Sequence, residues 1–305
     1  MARQKKDLRD VHGVILLDKP TGLTSNQALQ RVKRLLKARK AGHTGSLDPL
    51  ATGLLPLCFG EATKISAYLL EADKHYRTSA RLGERTDTAD AEGEVIETRP
   101  VADYDAATVE AALALFRGPI EQVPPMYSAV KVGGRRLYEM ARKGEAVERK
   151  PRQVVIHELS LLRHEANVLE LDVRCSKGTY IRTLVEDIGE ALGCGAHVRE
   201  LRRVGVAPYD NPPMVTLETL EAAAEQGLDA LDAFLMPIES ALAHWPRIDL
   251  DADATHYMRQ GQALQVPGAP SEGLLVLRDG QGDFLGIGQI LDDGRVAPKR
   301  LISQA

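Results

Sequence analysis

Strand and helix signals do not alternate regularly along this chain, and their order limits the architectures that it can adopt. Strands are predicted at 13–18, 54–59, 74–82, 154–158, 169–175 and 197–206. Apolar and polar residues alternate through 169–175, as in a strand with one buried face. Helices are predicted at about 25–37, 62–70, 106–116 and 179–192. Strands outnumber the helices available as parallel crossovers, so we predict an α+β fold: a mixed, largely antiparallel sheet flanked by helices.

The last part of the chain predicts a second, smaller domain. Asn211-Pro212-Pro213 breaks the preceding pattern, and an acidic helical stretch follows to about residue 243. Strand signals return from about Arg247, where Asp279-Gly280-Gln281-Gly282 between two apolar runs is a hairpin signature. We therefore predict a large domain over 1–246 and a small β-rich domain over 247–305.

Cysteine content and hydropathy exclude several classes of protein. Cys58, Cys175 and Cys194 form no CxxC pair, so neither a disulfide framework nor a zinc site is predicted. The polar start at 1–6 is followed by no apolar signal core, and no apolar run reaches the length of a membrane span. We expect a cytoplasmic protein with no metal and no membrane contact.

Basic residues are concentrated in blocks, although the net charge of the chain is −4. No acidic residue lies between Asp18 and Asp48, a stretch rich in Lys and Arg, and further basic blocks lie at Lys131–Arg152 and Arg199–Arg203. Acidic residues collect at 84–97 and 218–232. Such a chain can hold a polyanion on one face. Solvated helix faces are the alternative, and they are favoured for any single block taken alone.

The run Gly42-His43-Thr44-Gly45-Ser46-Leu47-Asp48-Pro49 is a loop by composition. A carboxylate on a rigid loop between buried elements is well placed for catalysis, but an ordinary Asp-Pro turn has the same composition, which by itself favours the turn. A Ser/His/Asp hydrolase built on His43, Ser46 and Asp48 is a further alternative. These three residues lie too close in sequence to orient one another, and no GxSxG surrounds Ser46.

Extended through Gly53, this loop resembles the signature of the TruB-type tRNA pseudouridine synthases. Other segments resemble further motifs of that family, in the same order: GVILLDKPTG at 13–22, GEATK at 60–64, KHY at 74–76, CSKGTYIRTL at 175–184 and RELRR at 199–203. One such motif is a weak signal, whereas several in the right order are a strong one. The C-terminal part resembles the family's PUA-like RNA-binding domain. The resemblance implies the pseudouridine synthase fold.

The resemblance implies an isomerase that acts on a flipped-out uridine at position 55 in the tRNA T-loop, without a cofactor. Asp48 matches the family's catalytic aspartate, and Arg182 matches the arginine that holds this aspartate bidentately. Tyr76 matches the active-site tyrosine, which stacks on the base. Asp48 would attack C1′, attack C6 or assist departure of the base, and the sequence leaves these three routes open. Without the resemblance, Arg182 is better interpreted as a surface ion pair and Tyr76 as a core aromatic.

Five more residues match binding positions of the family. Tyr180 and Leu201 correspond to residues that line the uracil pocket, and His43 to the histidine that supports the extruded nucleotide. Lys19 and Pro20 correspond to residues that brace the site. In the absence of the resemblance, Leu201 would be core filler and His43 incidental.

The resemblance also implies how RNA is held. The segment at about 122–152 matches an insertion that closes over the T-arm, with Gly133-Gly134 and Gly144 as hinge-like points. We expect tRNA, through its T-stem-loop, as the partner, no obligate protein partner, and a monomer. The rival is a noncatalytic RNA-binding or tRNA-folding protein on the same scaffold, and the presence of both Asp48 and Arg182 favours the enzyme.

Overall fold

The computed structural model describes residues 8–128, 130–141, 143–145 and 147–303. Within these ranges the chain forms a large mixed sheet with helices packed against it, and a four-stranded sheet from the C-terminal part. The predicted α+β fold with a largely antiparallel sheet is confirmed. In the same ranges no helix combines the length and apolar character needed to cross a membrane. The polar start at 1–6 and Arg142 of the second basic block lie outside the described residues.

The bounds of the elements are as follows. The helices are α1 (Ser25–Leu35), α2 (Ser66–Glu71), α3 (Ala106–Ala114), α4 (Leu137–Ala141), α5 (Ile181–Ala191), α6 (Leu217–Gln226), α7 (Leu228–Asp232) and α8 (Ala252–Arg259), with short 3-10 helices at Gly60–Lys64 and Ile238–Leu242. The strands are β1 (Gly13–Lys19), β2 (Ala41–His43), β3 (Thr52–Phe59), β4 (Lys74–Leu82), β5 (Glu84–Thr86), β6 (Val95–Thr98), β7 (Gly118–Gln122), β8 (Lys131–Val132), β9 (Arg135–Arg136), β10 (Arg152–Glu165), β11 (Val168–Cys175), β12 (Ala196–Val206), β13 (Tyr209–Asp210), β14 (Arg247–Asp249), β15 (Leu274–Arg278), β16 (Phe284–Ile290) and β17 (Val296–Leu301).

The central sheet has the strand order β1-β3-β12-β4-β11-β10-β7, with β2 added to β3 and β13 added to β12. Neighbouring strands run antiparallel except β3 and β12, which are parallel. This parallel contact consists of the residue pairs Thr52 with Arg202 and Gly53 with Arg203. The sheet therefore has two antiparallel parts that one short contact joins.

Alternate residues of β1 enter two different cores. Ile15 packs with the helices on one face of the sheet, whereas Val14 joins Val276 of the C-terminal sheet on the other face. Burial on both faces explains why β1 reads as a continuous apolar run. Strand β11 alternates between buried and partly exposed residues, as its sequence predicts.

The start of α1 holds the loop that contains Asp48. The helix is capped by Thr24, because Thr24 and Gln27 exchange hydrogen bonds of 3.2 and 2.8 Å in a capping box. The hydroxyl of Ser25 instead accepts from the N–H of Leu47 at 2.7 Å and donates to its carbonyl at 3.2 Å.

Three predicted boundaries are wrong. The start of the loop predicted at 42–49 is extended, since Ala41–His43 pairs with the edge of β3 as β2. The single helix predicted at 62–70 is divided into a 3-10 helix and α2 at Ile65. Helix α5 begins at Ile181 rather than Thr179, since Tyr180 has an extended backbone with φ −101° and ψ 109°.

We expect Gly53→Ala to weaken the junction between the two parts of the sheet. Gly53 has φ +95°, and a Cβ there would overlap the carbonyl oxygen of Arg203. Gly118 has a similar φ of +85° with open space around it, so Gly118→Ala is the matched control. The control should lose roughly 1–2 kcal/mol of unfolding free energy and Gly53→Ala more than about 3 kcal/mol in urea titrations. Equal losses would contradict a role for the close contact.

Candidate active site

The backbone around Asp48 is fixed by hydrogen bonds on both sides. The N–H of Thr44 donates to the carbonyl of Pro56 at 3.1 Å, and the N–H of Ala51 donates to the carbonyl of Asp48 at 3.1 Å. The second bond closes a turn at Asp48-Pro49, as composition favours. The carboxylate of the same residue lines a cleft, so the turn and the candidate nucleophile are one structure.

Arg182 on α5 joins Asp48 to a second carboxylate. Its side chain is 5% exposed, and its Nε lies 3.0 Å from Oδ2 of Asp48. Its Nη1 donates to the carbonyl of Thr88 at 2.9 Å, and its Nη2 donates to the carbonyl of Tyr127 at 2.7 Å. Nη1 also lies 3.4 Å from Oδ2 of Asp90. The expected bidentate pairing with Asp48 is therefore replaced by contact through Nε, because the terminal nitrogens bind other acceptors.

Asp90 is held in the turn between β5 and β6. Its Oδ1 accepts from the hydroxyl of Thr88 at 2.6 Å and from the N–H of Glu92 at 3.1 Å. The side chain is buried. Two carboxylates thus share one guanidinium, so the charge of Arg182 is not matched to Asp48 alone.

The surroundings of Asp48 favour its protonated form. Burial raises the pKa of this carboxyl and the charge of Asp90 adds to the rise, whereas Arg182 and Lys19 oppose it. The side chain still keeps 40% of its surface accessible in the cleft. Since its pKa is higher in the folded chain than in the unfolded one, its contribution to stability is present at low pH and is lost as pH rises through the folded pKa. An ionised Asp48 therefore costs stability, as is common at functional sites.

Lys19 supports the loop that contains Asp48 through hydrogen bonds to backbone carbonyls. The residue is fully buried at the end of β1, and its Nζ donates to the carbonyls of Pro20, Leu23 and Pro49 at 2.9, 2.6 and 3.3 Å. Burial lowers the pKa of Lys19 to about 8, although the charge of Asp48 opposes the shift. Lys19 and Pro20 therefore hold the chain on either side of the loop, and neither lines the cleft.

Tyr76 and Arg203 face each other on adjacent strands. They are register partners on β4 and β12. Arg203 is 1% exposed, with its Nε donating to the carbonyl of Leu54 at 2.7 Å and its Nη2 to that of Gly45 at 3.1 Å. Burial raises the pKa of the Tyr76 hydroxyl, while Arg203 opposes the rise. The phenol is therefore protonated near neutral pH, which suits stacking and hydrogen-bond donation.

The tertiary structure brings most of the predicted site residues into one cleft of about 270 Å³. Its lining includes Asp48, Tyr76, Tyr180, Arg182 and Leu201, together with Ser46, Lys74, Ser128, Gly178 and Arg203. His43 is not part of this lining. It lies in β2 with a buried Nδ1 that has no hydrogen-bond partner in the described structure, and burial lowers its pKa, so its ring is neutral.

Only part of the basic blocks is available to a polyanion. Lys19 and Arg203 are buried, and Arg202 binds both carboxylate oxygens of Asp18 at 3.0 and 2.7 Å. In contrast, Arg34 and Lys37 at the end of α1 are exposed. The first block therefore keeps a charged surface. In the third block Arg199 is exposed, whereas Arg202 and Arg203 hold the fold.

Three residues that position the site, Asp90, Arg203 and Gln122, were not among the predicted site residues. Asp90 belongs to an acidic stretch that reads as remote from the basic blocks. The sequence suggests that Arg203 is a surface charge. Gln122 marks only the start of the predicted insertion in the sequence, although the Gln122 side chain binds the backbone of Tyr180. Each acts through contacts with residues distant in sequence, so no local pattern marks it.

The fold and the cleft place the chain in the class of proteins with a pseudouridine synthase fold. A chain in the crystal structure of a Cbf5-Nop10-Gar1 complex is 26% identical with a TM-score of 0.72, covering 95% of this chain and 84% of that chain. Family models match in series: the TruB family pseudouridylate synthase N-terminal domain at 33–181, the tRNA pseudouridylate synthase B C-terminal domain at 182–243 and the pseudouridine synthase II TruB C-terminal region at 246–302.

Full-length relatives agree with these matches. The tRNA pseudouridine synthase B of Stutzerimonas stutzeri is 58% identical over 303 residues, which is 99% of each chain. The tRNA pseudouridine synthase B of Nitrosococcus oceani is 57% identical over 294 residues, which is 96% of each chain. The chain belongs to the TruB family of pseudouridine synthases.

We expect Asp90→Asn to move the pH dependence of catalysis. The substitution removes a negative charge that raises the pKa of Asp48, while the amide oxygen still accepts from Thr88 and Glu92. If Asp48 must be ionised, the rising limb of the single-turnover rate against pH should move to lower pH. Asp87→Asn, at an exposed position in the same turn, is the control and should leave the profile in place. A shift to higher pH in Asp90→Asn would contradict the sign.

Proposed function

We propose that this chain isomerises the uridine at position 55 of the tRNA T-loop to pseudouridine, with Asp48 as the nucleophile. The observation that carries the proposal is the contact of 3.0 Å between Asp48 and the buried Arg182, inside a cleft that Tyr76 and Tyr180 line. A carboxylate paired with a guanidinium and flanked by rings offers both a nucleophile and surfaces for a flat base.

The reaction breaks the bond from C1′ to N1 of uracil and forms a bond from C1′ to C5. C5 loses a proton to solvent and N1 gains one, so the product is an isomer of the substrate. No redox change or energy input is required, so no cofactor is needed. Asp48 attacks C1′ or C6, or assists departure of the base, and each route needs its ionised form. Arg182 and Lys19 favour that form, and Arg182 also fixes its direction. Tyr76, with a protonated hydroxyl, stacks on the base.

The substrate enters as an extruded nucleotide. Flipping costs a few kcal/mol, least for a loop base, and contacts to the flanking RNA offset this cost. Tyr180 and Leu201 line the base pocket, and His43, just outside the cleft, supports the RNA next to the extruded nucleotide. The exposed Arg34 of α1 and Lys37, which follows the helix, hold phosphates.

The remaining parts of the chain grip the tRNA. The insertion at about 122–152 closes over the T-arm, and the domain at 247–305 is a PUA-like RNA-binding domain following a catalytic domain at 1–246. The protein acts as a cytoplasmic monomer on the T-stem-loop without an obligate protein partner.

We expect Asp48→Asn to abolish isomerisation while RNA binding is kept. Tritium release from C5-labelled tRNA should fall by at least about 10⁴-fold, because no other group in the cleft replaces the nucleophile. Binding of unlabelled tRNA in a filter assay should change less than about threefold, and the variant should be at least as stable as the parent at pH 8 because an unfavourable charge is removed.

The control for this experiment is Asp103→Asn, at an exposed aspartate before α3. It should release tritium at the parent rate. Unchanged release in Asp48→Asn would overturn the assignment, and absence of release from the parent protein would favour a noncatalytic RNA-binding role.

We expect Arg182→Lys to lose activity although it keeps the charge. The planar guanidinium contacts four acceptors in different directions. The single ammonium nitrogen of lysine cannot reach all of them. The single-turnover rate should fall by about 10²-fold or more. Arg295→Lys, which alters an exposed ion pair with Asp293, is the control. A near-normal rate in Arg182→Lys would refute the role given to the guanidinium.

A further inference from the structure

Gln122 lies where the central sheet meets the insertion. It is the last residue of the edge strand β7, and the segment at 123–151 begins immediately after it. Its side chain belongs to a residue that is 2% exposed. A buried amide needs partners for both its donor and its acceptor, so its contacts identify what it holds.

Both ends of the Gln122 amide bind the backbone of one residue, Tyr180. Nε2 donates to the carbonyl of Tyr180 at 3.2 Å, and Oε1 accepts from the N–H of Tyr180 at 3.0 Å. The side chain thus makes the paired hydrogen bonds that a neighbouring strand would make. A carboxamide supplies a donor and an acceptor side by side, which few side chains can do.

Tyr180 lies immediately before helix α5. It is the N-cap, its own side chain makes no capping bond, and its carbonyl accepts the first helical bond from Leu184 at 3.0 Å. The direction of its backbone therefore sets where its ring enters the cleft. It also sets where Arg182, two residues further on, meets Asp48.

The same segment reaches the active site at a second point. Arg182 donates to the carbonyl of Tyr127, five residues after Gln122, at 2.7 Å. Arg149, near the other end of the insertion, donates to the carbonyl of Pro124 at 3.0 Å. The base of the insertion is thereby bound to the start of α5 through Tyr180 and Arg182.

We propose that Gln122 is a positioning residue for the isomerisation: it fixes the start of α5, so that Tyr180 and Arg182 face Asp48, and it couples the insertion to the cleft. This inference rests on the proposed function. Gln122 touches no reacting atom. Its effect is exerted on the rate of the chemical step through Tyr180 and Arg182, and the affinity for tRNA depends on other surfaces.

The first arm of the test compares Gln122→Met with Gln153→Met in the full-length protein. Gln153 is exposed on β10, opposite Glu121 in the register, and its amide binds only the Glu121 side chain among the contacts described, at 2.8 Å. Gln122→Met should lower the single-turnover rate about 10- to 100-fold with tRNA affinity within about threefold. Gln153→Met should match the parent. A parent rate in Gln122→Met would overturn the inference, as would a loss confined to thermal stability or to tRNA affinity.

The second arm uses Gln122→Glu. If Gln122 only filled space, the effect of this substitution on the rate would not depend on pH. A neutral carboxyl has one donor and one acceptor and can repeat the bonds to Tyr180, whereas a carboxylate can only accept and would oppose the carbonyl of Tyr180. The ratio of the variant rate to the parent rate should therefore be near one at low pH and should fall as pH rises. Arg152 lies opposite Gln122 on β10, Arg149 binds the carbonyl of Pro124, and Arg182 and Asp48 act on the neighbouring Tyr180. These charges influence the pH at which the fall occurs.

A ratio that does not change with pH would overturn the proposed bonding. The parent protein separates the two hypotheses: if it releases no tritium from C5-labelled tRNA, the proposed function fails and this inference falls with it. If the parent is active and the Gln122 variants behave like Gln153→Met, only the inference is refuted.

Discussion

The ion pair between Asp48 and Arg182 is the interaction on which the remainder of the site depends. A guanidinium that is 5% exposed is stable only if its donors find acceptors, and here Asp48, Asp90 and two backbone carbonyls supply them. These acceptors come from the loop before β3, the turn between β5 and β6, and the base of the insertion. A single side chain therefore holds three separate parts of the chain in register around the cleft.

The cleft lies near the short parallel contact between β3 and β12 in the central sheet. Strands β3 and β12 share two residue pairs, and Gly53 permits their approach because a side chain there would meet Arg203. Arg203 then spans the junction with hydrogen bonds to Leu54 and Gly45, next to Tyr76. A short parallel contact between two antiparallel parts leaves room for a pocket. Two buried basic residues, Lys19 and Arg203, are both register partners of Gly53 at this junction.

Charge in this site is arranged for function at some cost in stability. Burial and Asp90 raise the pKa of Asp48, and burial lowers that of Lys19 to about 8. Both shifts disfavour the charged forms that the proposed reaction uses. The hydrogen bonds from Lys19 to three carbonyls and from Ser25 to Leu47 hold the loop in place despite this cost.

The sequence by itself determined the features that depend on local periodicity and on matching motifs. The strands β1, β4 and β12, the hairpin of β15 and β16, and the set Asp48, Tyr76, Tyr180, Arg182 and Leu201 were predicted, and the structure places that set in one cleft. Composition alone favoured a turn at Asp48, and the turn is present. The motif match, not the composition, singled out its carboxylate.

Only the tertiary structure decided which charges are buried and which partners they have. Lys19 and Arg203 look like members of basic surface blocks, yet both are buried, and Asp90 lies in an acidic stretch yet shares Arg182 with Asp48. Gln122 and Tyr180 are separated by 58 positions, and their pairing depends on how β7 and α5 pack. Local sequence specifies periodicity and caps because these involve neighbours within a few residues. Contacts between distant residues depend on strand order and packing, which no single segment encodes.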